Sequence, residues 1–181
     1  MEKEGFKFGR TDPELNPKGY YTVIVAELAN IYYNDSTIKD RNFLGEDRNK
    51  KQIFPEEILK SILDSGQINA TVSYKHEAIA KGIPSITLPD QINLSNPNCT
   101  NYYNKIYYKL GTGETIFGNP IFFSFTMPNT VENIEGALFF TKFLLSEKEK
   151  EILEEMGLDP IKPILQGNWS QLESEILTLV K

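Results

Sequence analysis

Apolar residues recur along the chain with two different periods, and each change of period marks an element. Phe6 and Phe8 alternate with polar neighbours, which predicts a short strand running into the turn Gly9-Arg10-Thr11-Asp12-Pro13. Tyr21, Val25, Leu28 and Tyr32 then fall at helical spacing. Asn16 suits the cap of that helix, and Pro17 suits its first position, where a backbone N–H would go unpaired anyway. The helix is expected from Pro17 to about Tyr33. Pro55-Glu56-Glu57 opens a second helix, with Ile58, Leu59, Ile62 and Leu63 facing inward and Gly66 as its stop. Residues 70–74 read as a strand, residues 76–81 as one or two helical turns, and residues 84–88 as another strand. Helices and strands alternating over short connections predict an α/β fold with parallel strands.

Residues 106–127 break this rhythm. Three β-rich runs are separated by Gly111-Thr112-Gly113 and Gly118-Asn119-Pro120, and the last run, residues 121–125, is apolar enough for a buried strand. From Thr130 the pattern is helical. Ile134, Leu138, Thr141 and Leu145 line one face, and Ser146 with Glu149 forms a capping box for a following helix that Gly157 ends. After Pro160 and Pro163, residues 170–180 read as a terminal helix carrying Leu172, Ile176 and Leu179, against which Trp169 is expected to pack.

Charge and composition narrow the function classes. The net charge is -6, and no basic stripe is present to neutralise phosphates, so nucleic-acid binding is not expected. The dense charged stretch from Lys39 to Lys51 carries both signs and reads as a solvated excursion. With one cysteine, Cys99, and one histidine, His76, neither a disulfide nor a cysteine zinc site can form within the chain, and histidine-based catalysis has little to work with. His76, beside Glu77, reads as a surface or cap residue. The Asn-x-Ser/Thr sequons at Asn34, Asn69, Asn93, Asn98 and Asn168 are expected by chance in an Asn-rich chain. No apolar run is long enough to span a bilayer. The start MEKEGFKFGR has neither the basic nor the apolar region of a secretion signal.

The residues with most chemical potential surround the first helix start. A helix N-terminus exposes amide N–H groups and the positive end of the dipole, a natural seat for an oxyanion. In Asn16-Pro17-Lys18-Gly19 the proline removes one donor, leaving the amides of Lys18 and Gly19 as the contacts. Lys18 adds a full charge, and Asn16 can either cap the helix or donate to an anion. Ser73, near the end of a short strand, can donate a hydroxyl there, or satisfy nearby backbone instead. Thr11 and Asp12 shape the preceding turn; Asp12 would repel an anion and reads as structural.

Three segments in order carry a family resemblance. They are FGRTDPELNPKGYYTVIVAELA (residues 8–29), SGQINATVSYKHEAIAKGIPSITLPDQINLSNP (residues 65–97), and residues 116–157 with a Gly-x-Pro-Ile strand and a helix ending in Phe-Leu-Leu-Ser. Together they resemble the tungstate/molybdate-binding proteins of ABC importers, which have the type II periplasmic-binding-protein fold. The resemblance implies a second lobe at residues 1–126 and C-terminal helices at residues 127–181 that pack on a first lobe. It also implies ligand-binding roles for Asn16, Lys18, Gly19 and Ser73. The chain departs from the family pattern at two ligand positions, where Asn16 and Ser73 stand in place of an Asp and a Glu that ligate the oxyanion's metal. Lys18 stands where the family commonly has Cys. Relative to the pattern, two negative charges are lost and one positive is gained. The chain also begins at about the point where the family's chain enters its second lobe.

The expected function is therefore solute binding for an ABC importer, with a small tetrahedral oxyanion as ligand and a permease as partner. The expected location is extracellular or periplasmic, and no cofactor is expected. A separate N-terminal lobe or self-association would complete the cleft. A degenerate module without ligand, serving as an interaction domain, is the alternative. An enzyme ranks last: Ser73 has no independent histidine partner, and no nucleotide loop of the Gly-x-x-x-x-Gly-Lys type is present.

Overall fold

A computed structural model of the chain describes residues 5–128, 130–167 and 174–180. In chain order its elements are β1 (Phe8–Gly9), α1 (Pro17–Tyr32), a π-helical segment (Ile38–Phe43), a 3-10 turn (Glu56–Ile58) leading into α2 (Leu59–Asp64), and β2 (Ala70–Thr71). These are followed by α3 (Lys75–Ala80), a second 3-10 turn (Pro97–Cys99) leading into α4 (Thr100–Tyr103), β3 (Tyr107–Lys109) and β4 (Thr115–Phe117). The remaining helices are α5 (Ile134–Leu144), α6 (Glu147–Glu155) and α7 (Ser174–Val180). Trp169, Leu172 and the sequon at Asn168 lie outside the described residues, as does the side chain of Leu179. The chain is mixed α/β and divides into two compact units, Met1–Ser73 with Ile86–Phe122, and Tyr74–Ser85 with Phe123–Lys181.

In the first unit, β1 is the middle of three parallel segments. Phe8 and Gly9 pair with Ala70 and Thr71 of β2. On the other side Arg10 bridges Ile53, its N–H donating to Gln52 O at 2.7 Å and its carbonyl accepting from Phe54 N at 2.9 Å. All three carboxyl ends therefore point the same way. α1 forms as expected, and its Ile24 and Leu28 are fully buried among Leu44, Ile92, Leu94 and Tyr103. A smaller cluster of Leu59, Ile62 and Ile68 seats α2, which ends as Gly66 takes a positive φ of 72°. Ile58, expected to face inward with them, is 40% exposed.

The charged stretch after α1 is largely exposed, as expected, but it is also anchored to the core. Leu44 is fully buried. Lys39 pairs with Glu27 at 2.7 Å and Asp47 at 2.8 Å, pinning the π-helical turn to α1. The same stretch covers Arg10, whose Nη2 donates to the carbonyls of Glu46 (3.1 Å) and Asp47 (2.7 Å) while Nε donates to Gln52 Oε1 (3.2 Å). Arg10 is 1% exposed. Burial pulls its pKa below the ordinary arginine value, against the opposing charges of Asp47 and Asp12.

Two expected strands are not formed. Residues 84–88 and 121–125 are irregular, because among the described residues the only ladders are β1–β2 and β3–β4 and neither run finds a partner strand. Ile121 makes one backbone bond, to Leu94 O, while Phe123 is 71% exposed. Apolar composition without an adjacent edge is not enough to make a strand.

In the second unit, α5 packs on α6 and α7. Asn133 Oδ1 caps α5 by accepting from Gly136 N at 2.9 Å, and Ser146 Oγ caps α6 by accepting from Glu149 N at 3.3 Å. Gly157 follows α6 with a φ of 81°, the left-handed conformation that glycine adopts freely. His76, in α3, is half-buried between aromatic rings, stacked on Tyr74 and edge-on to Phe123 with centroids 5.1 Å apart.

Candidate functional site

The turn after β1 delivers the first candidate residues. Asp12 organises it: its carbonyl accepts from Leu15 N (3.1 Å) and Asn16 N (3.0 Å), its Oδ1 accepts from Glu14 N (2.9 Å), and its Oδ2 pairs with Arg48 at 2.5 Å. Burial alone would raise the Asp12 pKa. The bonds from Arg48 and the Glu14 amide, with the charges of Arg48 and Arg10, hold it below the usual carboxylate value. Asp12 is structural in this geometry, as its sign suggested.

Asn16 then divides its amide between two tasks. Its backbone is extended (φ -142°, ψ 131°), and Oδ1 accepts from Lys18 N at 2.9 Å, capping α1. The Asn16 carbonyl accepts from Gly19 N at 2.9 Å. Both amides expected to face an anion are thus engaged inside the helix start. The amide nitrogen of Asn16 points elsewhere, donating from Nδ2 to Glu56 Oε2 at 2.7 Å. Gly19 is required by packing: a Cβ there would lie 2.5 Å from Asp12 O and 2.7 Å from Pro13 N.

Lys18 is buried at 6% exposure, and its Nζ meets Glu56 Oε1 at 2.5 Å. One carboxylate therefore receives both Asn16 Nδ2 and Lys18 Nζ. Sequence reasoning read Glu56 only as a helix-opening residue. The signal that points to it is physical: an ammonium withdrawn from water needs a negative partner, and Glu56 stands at the carboxyl end of a strand segment parallel to β1.

Ser73 lies two residues beyond β2 and is half-buried. The sheet thus sends Asn16 and Lys18 from β1, Glu56 from the Ile53 segment, and Ser73 from β2 to one carboxyl edge, the position where open α/β sheets bind ligands. Hydrogen bonds join Asn16, Lys18 and Glu56; Ser73 is placed at the same edge by topology. Two shallow hollows of about 240 and 290 Å³ open instead beside Phe6 and Phe8, and none of these four residues lines either. The hollows lie away from the carboxyl edge residues, so the hydrogen-bonded cluster is the candidate site. Among the described residues no group of three or more His, Cys, Asp and Glu side chains is arranged to hold a metal ion.

Known proteins place this chain in context. Residues 1–159 match the family described as bacterial extracellular solute-binding protein. The Pyrococcus abyssi molybdate/tungstate-binding protein WtpA is 34% identical, the alignment covering 90% of this chain and 53% of that protein. The Thermococcus kodakarensis molybdate/tungstate-binding protein WtpA is 31% identical over 90% of this chain and 51% of its own length. A Haloferax volcanii protein named for molybdenum binding in an ABC transporter is 36% identical over 68% of this chain and 39% of its own. The chain spans about half the length of the curated relatives it matches. No helix among the described residues is long and apolar enough to cross a membrane. The family is one of transport proteins rather than enzymes, and with the match covering residues 1–159 the chain belongs to the bacterial extracellular solute-binding proteins.

Proposed function

We propose that this chain forms one wall of the solute-binding component of an ABC importer and that its ligand is a small tetrahedral oxyanion. The observation that carries the reading is Lys18, a cation buried at 6% exposure at the carboxyl edge of a parallel sheet and flanked by the Asn16 amide. Such a cation, with neutral donors beside it, suits a ligand of high charge density and small size. The molybdate- and tungstate-binding roles of similar proteins support the choice of oxyanion.

Recognition rests on hydrogen bonds and charge. Asn16 and Ser73 offer donors where metal-ligating carboxylates would sit in the family pattern, so the chain reads the oxygens of the anion rather than its central atom. Tungstate then loses its advantage over sulfate or phosphate. The site works as one jaw, in the type II arrangement, with a second lobe closing over the anion and a permease receiving it outside the cytoplasm. The aromatic surface of the second unit, where Phe139 is 76% and Phe140 58% exposed, supports a further lobe or a second copy completing the assembly.

Thermal unfolding of the intact chain in millimolar sodium tungstate, molybdate, sulfate or phosphate, against sodium chloride at equal ionic strength, tests the proposal. A ligand that binds the folded state raises the midpoint. A rise with at least one tetrahedral oxyanion is expected; unchanged midpoints in all four would overturn the reading.

A further inference from the structure

We propose that Glu56 is a resident counter-anion of this site, which an incoming oxyanion must displace. The inference rests on the oxyanion reading above and adds a competitor built into the chain. Asn16 Oδ1 holds the Lys18 amide at 2.9 Å, and the Asn16 carbonyl holds the Gly19 amide at 2.9 Å. The strong donors that face away from the helix are Asn16 Nδ2 and Lys18 Nζ. Both are on Glu56, at 2.7 and 2.5 Å to its two separate oxygens. Glu56 engages them as two oxygens of a tetrahedral anion would, with the same charge sign and the same acceptor chemistry.

An oxyanion cannot simply be added to this arrangement. It would bring negative charge to within a few ångströms of a carboxylate that already uses the donors, in surroundings that screen less than water. Leaving is feasible for Glu56 and not for Lys18. The Glu56 side chain is 35% exposed against 7% for Lys18, and it starts a short 3-10 turn, Glu56–Ile58, immediately after Pro55. A rotation about its side-chain bonds moves the carboxylate into solvent while Leu59 and Ile62 keep α2 seated in its cluster. The exchange leaves Lys18 paired in both end states, with Glu56 before binding and with the ligand after it. It also lowers the apparent affinity by the fraction of molecules in which Glu56 has already moved away.

Isothermal titration of the intact chain with sodium molybdate and sodium phosphate tests this on wild type, Glu56→Gln, Glu56→Asp and Lys18→Met. Removing the charge at position 56 is expected to tighten binding about tenfold. Glu56→Asp, which keeps the charge but shortens the reach, should tighten it less, and it covers the case in which the neutral variant fails to fold. Lys18→Met should bind neither anion. If wild type binds and neither Glu56 variant binds more tightly, the displacement idea is overturned while the oxyanion reading stands. Wild-type binding that the Glu56 variants tighten supports both. No binding by any variant overturns both.

Discussion

The Tyr108 hydroxyl donates to Glu14 Oε1 at 2.6 Å, joining residues 94 positions apart, and Gly111 N donates to the other oxygen of the same carboxylate at 2.7 Å. Glu14 sits in the turn that ends at Asn16, and Tyr108 and Gly111 belong to the β3–β4 hairpin. The hairpin thus holds the start of α1 in place from outside the sheet that delivers it. Tyr108→Phe and Glu14→Ala are each expected to lower stability in urea unfolding. Because both remove the same bond, the double variant should lose clearly less than the sum of the two. Additive losses would show that the contact contributes nothing.

Gly19 allows the turn to approach α1. The 2.5 Å separation between its would-be Cβ and Asp12 O is a clash with backbone, which cannot rotate away. Gly19→Ala is expected to cost about 1–3 kcal/mol, the usual range for overpacking. Unfolding by denaturant at constant m-value measures it. A loss indistinguishable from zero would mean that the turn has room to shift.

Acid should weaken the same turn. Asp12 and Glu14 both titrate below their ordinary values in the fold: Asp12 because Arg48, the Glu14 amide and nearby charges outweigh its burial, and Glu14 mainly because Tyr108 and Gly111 donate to it. Their folded pKa values lie below the unfolded ones, so their stabilisation is complete above the unfolded values of about 4 and is lost as pH falls through the depressed values. Asp12→Asn should flatten the acid limb of a stability-against-pH curve. At the alkaline end, burial pushes Tyr103 up to about 12, against the opposing hydrogen bond from Asn96 N. Its contribution is present below the unfolded tyrosine value of about 10 and disappears as pH rises through the folded one.

The second unit exposes Phe123 at 71%, Phe139 at 76% and Phe140 at 58%. Aromatic area of this kind favours association. Sedimentation of the intact chain is expected to show self-association that increases with concentration. Phe139→Lys combined with Phe140→Lys should shift it toward monomer. A wild-type chain that stays monomeric at every concentration would contradict this.

Much of the scaffold was legible because its signals are local. Asn16 and Pro17 announce α1, Ser146 and Glu149 announce α6, and Gly66 and Gly157 stop their helices within a residue or two of the expected place. What could not be read depends on partners distant in sequence. Residues 84–88 and 121–125 are apolar enough for strands, yet among the described residues neither run joins a ladder, and Ile86 is 93% exposed. Lys39 to Lys51 reads as solvated, and its anchoring shows only through Arg10, 36–42 residues away in its bonds. At the site, the cap was visible in four consecutive residues. The role of Glu56 was not, since its bonds to Asn16 and Lys18 cross 40 and 38 positions.

Equilibrium dialysis of the intact chain against equal concentrations of tungstate, molybdate, sulfate and phosphate, followed by elemental analysis, tests the oxyanion claim most directly. The wild-type chain should retain a tetrahedral oxyanion in stoichiometric amount without the preference for tungsten and molybdenum that metal-ligating carboxylates confer, and Lys18→Met should lose it. Retention by wild type no greater than by Lys18→Met would contradict the account.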